Sequence, residues 1–87
     1  MATKVCVTIA ASSPTKAYKE VSRALGKSEY AELRLDFLKP NQIPFCLTLV
    51  KKHLKKCICT LRPITEGGKF SGSEKERISI LKLISEF

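Results

Sequence analysis

The chain has 87 residues, room for one small domain and no second. With 44% hydrophobic and 28% charged residues, its composition is that of a folded protein and excludes disordered, collagen-like and low-complexity classes. Sixteen Lys and Arg against eight Asp and Glu give a net charge of +8 and point to an anionic partner, while no apolar run reaches the roughly 20 residues of a membrane span. Met1-Ala2-Thr3-Lys4 leads directly into a short apolar segment. It lacks the long apolar core and small-residue cleavage site of a signal peptide, so a cytoplasmic location is expected.

Val5-Cys6-Val7-Thr8-Ile9-Ala10 is short and β-branched, which predicts a first strand. Ser13 can cap a helix whose first residue is Pro14. Ala17, Val21, Ala24 and Leu25 repeat at helical spacing and Gly26 ends the pattern, giving a first helix over 14–25. A second strand, Ala31 to Phe37, alternates strictly between apolar and charged residues. Lys39-Pro40-Asn41 breaks it, and Ile43, Leu47, Val50 and Leu54 mark the stripe of a second helix. Lys51, Lys52, Lys55 and Lys56 fall in the last turns of that helix, where cations complement the macrodipole, so a solvated helix face is preferred to a nucleic-acid patch. Cys57-Ile58-Cys59-Thr60-Leu61 makes a third strand ending at Arg62-Pro63. A polar loop containing Gly67-Gly68 follows, and the capping box Ser73-x-x-Glu76 opens a third helix with Ile78, Leu81 and Ile84 on one side.

Cys6, Cys46, Cys57 and Cys59 could form a disulfide set or a metal site, but Cys57-x-Cys59 lacks zinc-ligand spacing. All of them fall in apolar stretches, so buried free thiols in a reducing compartment are expected, with no metal.

Alternating strands and helices in the order βαβαβα predict parallel strands joined by right-handed crossovers, an α/β protein. Residues two apart share a face: Cys6 with Thr8 and Ala10, Glu32 with Arg34 and Asp36, Ile58 with Thr60 and Arg62. The opposite face carries Val5, Val7 and Ile9, then Leu33, Leu35 and Phe37, then Cys57, Cys59 and Leu61, and must meet the helices. A polar face opposite a single helix layer fits a (β/α)8 TIM barrel better than a doubly wound sheet, whose strands are apolar on both faces. Such a barrel takes about 250 residues, roughly 30 per β/α unit. The chain is therefore expected to be one incomplete domain over 1–87, the N-terminal βαβαβα portion of a longer barrel, with its third helix cut at or near its end.

Glu32-Leu33-Arg34-Leu35-Asp36-Phe37 and Thr60-Leu61-Arg62-Pro63-Ile64-Thr65-Glu66-Gly67-Gly68-Lys69-Phe70 together resemble type I 3-dehydroquinate dehydratase, the Schiff-base lyase of the shikimate pathway. The resemblance runs from Lys4 to the end of the chain and includes the helix start Gly72-Ser73-Glu74-x-Glu76-Arg77. It implies a (β/α)8 barrel and dehydration of 3-dehydroquinate to 3-dehydroshikimate, with no metal or cofactor and with a homodimeric parent. A lysine amine attacks the ketone, the imine acidifies the adjacent C–H, and a histidine removes that proton and protonates the departing hydroxyl.

Carried over by position, the resemblance implies that Glu32 and Arg34 contact substrate hydroxyls, and that Arg62 hydrogen-bonds the substrate at the end of the third strand. Glu66 is similar to the carboxylate that orients the catalytic histidine. Thr8 occupies the place of a small hydroxyl residue on the first strand. Asp36 is given no role by the resemblance and could simply complete a charged network below the pocket. The imine-forming lysine and the acid/base histidine are expected beyond Phe87, which would leave this chain inactive alone. His53 lies in a lysine-rich helical segment and is read as a solvated surface residue.

The residues by themselves also admit other readings. Glu32, Arg34 and Asp36 could be an ordinary exposed strand face, and Gly67-Gly68 only a flexible turn. No phosphate-cradling glycine motif is present. The basic run could make the chain a small nucleic-acid-binding module, although it has no Trp and few aromatics to stack on bases. Open sheet edges could instead pair with a protein partner.

Overall fold

A computed structural model of the chain describes residues 6–87. The predicted strand residue Val5 lies outside them. The element order is β1 (Cys6–Ile9), α1 (Pro14–Leu25), β2 (Tyr30–Arg34), α2 (Ile43–Val50), β3 (Cys57–Thr60) and α3 (Glu74–Ser85), joined in part by short 3-10 turns. The strands form one parallel sheet in the order β1-β2-β3. Thr8 pairs with Glu32 in register, and Arg34 with Thr60. The α/β class and the parallel βαβαβ path are therefore as the sequence predicts.

Both halves of the first crossover follow from local chemistry. Ser13 caps α1, its side chain accepting from the Lys16 N–H at 3.2 Å, and Pro14 supplies a preset φ where no intrahelical donor is needed. Gly26 closes the helix, but with right-handed backbone angles (φ −75°); Ser28 finishes the turn through its N–H and hydroxyl, both donated to the Ala24 carbonyl at 2.8 Å. Ala17, Val21 and Ala24 are buried against Ala31 and Leu33 of the central strand. From α2, Ile43, Cys46, Leu47 and Val50 join the same core.

The second helix is shorter than its hydrophobic stripe suggests. It stops at Val50, and Lys51–Lys56 continue as a 3-10 segment. In an α-helix Lys51 and Lys55, and Lys52 and Lys56, would stack as like charges four residues apart. The tighter turn also directs His53 inward. Its Nε2 lies 3.2 Å from the Ser22 hydroxyl and its ring 6.2 Å from that of Tyr18, so His53 is half-buried against α1 rather than solvated.

The thiols are free, and most behave as expected. Cys46 is buried, Cys57 and Cys59 are half-buried, and burial pushes the Cys46 and Cys59 thiols up to about 11. Cys6 is exposed, against the expectation, because β1 is an edge strand and Cys6 points to the face the helices leave open. In α3, Ile80, Leu81 and Ile84 pack on the core, while Ile78 is 55% exposed and lies off the stripe assigned to it. The Ser73–Glu76 capping box forms as predicted. No helix among the described residues is long and apolar enough to cross a membrane.

The strand ends depart most from simple alternation. β2 stops at Arg34, and Leu35–Phe37 form a 3-10 turn. Asp36, only 4% exposed, folds back onto Arg34: Nε donates to Oδ1 at 2.9 Å and the second guanidinium nitrogen to Oδ2 at 2.7 Å. Oδ2 also accepts the Lys69 N–H at 2.9 Å, from the loop that follows β3. Phe37, assigned by alternation to the helix layer, instead places its ring 5.1 Å from the Arg34 guanidinium carbon.

The loop from Pro63 to Phe70 is closed on itself. Ile64 N–H donates to the Phe70 carbonyl at 3.0 Å, Phe70 N–H to the Arg62 carbonyl at 3.1 Å and Gly68 N–H to the Pro63 carbonyl at 2.9 Å. Gly67 adopts a left-handed φ of 87°, and a Cβ on Gly68 would overlap the Arg62 carbonyl. Both glycines are thus required by geometry, not only tolerated by a turn. Gly68→Ala is expected to lower stability by about 1–3 kcal/mol, read as an earlier urea midpoint.

Burial alone would push the Asp36 carboxyl up, but the Arg34 guanidinium and the Lys69 amide outweigh it and hold the carboxyl below its ordinary value. A depressed folded-state pKa contributes stability that is complete above the unfolded value of about 3.9 and is lost as pH falls through the folded one. Urea midpoints recorded between about pH 6 and about pH 2 should therefore fall more steeply for the native chain than for Asp36→Asn.

Candidate functional site

At the C-terminal end of β3 the chain opens into a cleft of about 350 Å³. It is lined by Glu32, Arg34, Thr60, Arg62 and Glu66, together with Arg77 and the apolar Cys59, Leu61, Pro63 and Leu81. Four of the side chains singled out in the sequence, Glu32, Arg34, Arg62 and Glu66, thus come together from the end of β2, the end of β3 and the loop beyond it. They do so because parallel strands in sequential order present their C-terminal ends on one side.

Glu32 sits on the sheet face opposite the helices. Its Oε1 accepts from the Thr8 hydroxyl at 3.1 Å and its Oε2 from the Thr60 hydroxyl at 3.3 Å, so one carboxylate spans all the strands of the sheet. Thr8 does not line the cleft; it reaches it only through Glu32. The Thr60 contact was not anticipated, although its place on the same face as Glu32 follows from the two-residue period.

Arg34 is held rigidly by Asp36. The fork uses Nε and one terminal nitrogen, which leaves the other terminal nitrogen and its protons available to an acceptor in the cleft. Arg62 lies just beyond β3, is exposed, and forms no ion pair among the described residues. Glu66 ends a 3-10 turn in the closed loop and is exposed.

Arg77 is the cleft residue that sequence reasoning passed over. It forks onto Glu74 at 3.0 and 2.7 Å, and its remaining nitrogen is 3.4 Å from the Leu61 carbonyl. The pairing with Glu74 was legible as an i,i+3 spacing; the return of the first turn of α3 to the end of β3 was not.

The cleft thus gathers three guanidinium groups and two carboxylates in an open, partly apolar hollow. Arg34 and Arg77 are forked onto Asp36 and Glu74, and Arg62 is the cleft guanidinium without an ion pair among the described residues, beside the carboxylates of Glu32 and Glu66. Such a set can hold a small polyhydroxylated ligand by charge-assisted hydrogen bonds, the guanidinium groups donating and the carboxylates accepting. None of its lining residues is a lysine or a histidine. Among the described residues no cluster of three or more His, Cys, Asp or Glu is arranged to hold a metal ion.

Comparison with known proteins gives the same direction. The chain is 38% identical over 85 residues to the chloroplastic bifunctional 3-dehydroquinate dehydratase/shikimate dehydrogenase of Arabidopsis thaliana, covering 94% of this chain and 14% of that protein. It is 33% identical over 79 residues to the 3-dehydroquinate dehydratase of Desulfotalea psychrophila, covering 90% of this chain and 33% of that protein. The chain thus spans a third or less of the length of these relatives. The family description type I 3-dehydroquinase matches residues 5–87, nearly the whole sequence, and the chain belongs to that family.

Proposed function

We propose that this chain is the first three β/α units of a (β/α)8 barrel that dehydrates 3-dehydroquinate to 3-dehydroshikimate through a lysine imine. The observation that carries this reading is the convergence of Glu32, Arg34, Arg62 and Glu66 on one cleft at the strand ends. Two further features support it: one helix layer with an opposite polar sheet face, and the names of the relatives.

In this reading the chain supplies substrate binding, not the bond-making groups. Arg62 and the free edge of the Arg34 guanidinium donate to substrate oxygens. Glu32, fixed by Thr8 and Thr60, accepts from a substrate hydroxyl, and Thr8 acts by orienting that carboxylate. Glu66 orients the histidine that removes the proton beside the imine and returns it to the departing hydroxyl, which leaves as water. The lysine that attacks the ketone and that histidine belong to barrel units beyond Phe87. His53 is bonded to Ser22 beside α1, and the lysines Lys51 to Lys56 lie at the opposite, N-terminal end of β3. The chain alone is accordingly inactive, and its complete barrel is a cytoplasmic homodimer that needs no cofactor.

Three measurements on the full-length enzyme carrying this segment test the proposal. Arg62→Ala should lower kcat/KM by about 1.5–3 kcal/mol, roughly 10- to 150-fold, with a raised KM. Glu32→Gln should keep the stability within about 0.5 kcal/mol, because the Thr8 and Thr60 hydroxyls can rotate to accept from the amide, yet lower activity through lost charge. Borohydride should trap substrate on a lysine outside residues 6–87. Activity unaffected by both changes, or no trapped adduct, would reject the reading; steeply salt-dependent retention on a polyanion column would favour a nucleic-acid module instead.

A further inference from the structure

Two walls of the cleft come from separate parts of the chain. One is the end of β2, with Glu32 and Arg34; the other is the segment after β3, with Arg62 and the Pro63–Phe70 loop bearing Glu66. Among the described residues a single side-chain carboxylate joins them: Asp36 accepts two hydrogen bonds from Arg34 and one from the Lys69 N–H. Its side chain is fully buried and its oxygens are satisfied by these donors.

We infer that Asp36 is a positioning residue, which sets the orientation of Arg34 and the place of the Glu66-bearing loop at the same time. The inference rests on the dehydratase reading above and assigns Asp36 no contact with substrate. Its physical basis is the number of donors. Three N–H groups converge on one carboxylate, and only a group that accepts at both oxygens satisfies them all. An asparagine fills the same volume but turns an NH2 toward at least one of those donors. Either the guanidinium fork or the loop tether must then open. Opening the fork frees Arg34 to swing on its stem, held only by the Phe37 ring; opening the tether frees Lys69 and shifts the loop that ends beside Arg62.

The arrangement also distinguishes positioning from simple packing. If Asp36 only filled space, the isosteric Asp36→Asn would be milder than Asp36→Ala. If it positions the cleft, Asn is at least as damaging as Ala, because alanine leaves the donors free to find water whereas the amide opposes them.

The test uses the full-length enzyme carrying this segment, with Arg62→Ala as reference. Asp36→Asn is expected to raise KM at least fivefold and to lower kcat, with Asp36→Ala no worse than Asn. A loss of folded protein would lower only the apparent kcat, in proportion to the fraction folded, and leave KM unchanged. A second readout is needed if both variants fail to fold. In nitrogen-15 spectra of the unsubstituted full-length enzyme, the Arg34 Nε–H should exchange at least tenfold more slowly than the Arg62 Nε–H, and the Lys69 amide at least tenfold more slowly than its unprotected rate. Equal exchange, or an unchanged KM in a folded Asp36→Asn enzyme, would overturn the inference. If Arg62→Ala lowers kcat/KM while Asp36→Asn leaves KM unchanged, positioning by Asp36 fails and the dehydratase reading stands. If Arg62→Ala has no effect either, the dehydratase reading itself fails.

Discussion

The two-residue period of the central strand decides which side of the sheet is core and which is free for polar groups. Ala31 and Leu33 are completely covered by α1 and α2, and that burial fixes which way Glu32 and Arg34 face. A slip of one residue would put Glu32 and Arg34 into the helix layer and expose Leu33 and Ala31, so the hydrophobic core itself enforces the register. With the helices gathered on one face, the other is free to carry polar groups. Thr8, Glu32 and Thr60 use it to build a short hydrogen-bonded row across the strands.

Charge is handled by local pairing more than the net value of +8 suggests. Arg34 and Arg77 each fork onto a carboxylate within three residues in sequence, which fixes their planes without strongly charging the cleft. Arg62 carries its charge into the cleft unpaired. The remaining excess lies elsewhere: between Asp36 and Glu66 there is no acidic residue, and the Lys51–Lys56 run in that stretch leads into the start of β3, away from the cleft at its end. The lysine-rich run and the cleft, where carboxylates accompany the guanidinium groups, therefore lie at opposite ends of β3.

The loop after β3 shows how a short segment can be rigid without regular structure. A left-handed glycine, a second glycine packed on the Arg62 carbonyl and the Lys69 amide bound to Asp36 leave it few alternatives. Its ends are tied by backbone hydrogen bonds between Arg62 or Pro63 and Gly68 or Phe70. Glu66 thus sits on a turn whose position is coupled to the end of β2, even though its own side chain is exposed.

The sequence by itself determined the strand–helix order, the caps at Ser13 and Ser73 and the polar and helix-facing sides of β2, which are written in local periodicity and need no knowledge of distant contacts. The set Glu32, Arg34, Arg62 and Glu66 came from the resemblance of two motifs to type I 3-dehydroquinate dehydratase, because periodicity alone fits an ordinary exposed strand face equally well. The sequence did not reveal that β2 would end at Arg34, that Asp36 would turn back and bury itself, that α2 would tighten into a 3-10 segment and pull His53 against α1, or that Arg77 would border the cleft. Those outcomes depend on where chain segments dozens of residues apart meet. Asp36 can be buried as a carboxylate only because the Lys69 amide, 33 residues later, arrives beside the Arg34 guanidinium. No local pattern encodes such a meeting; the packing of the whole sheet and its loops decides it.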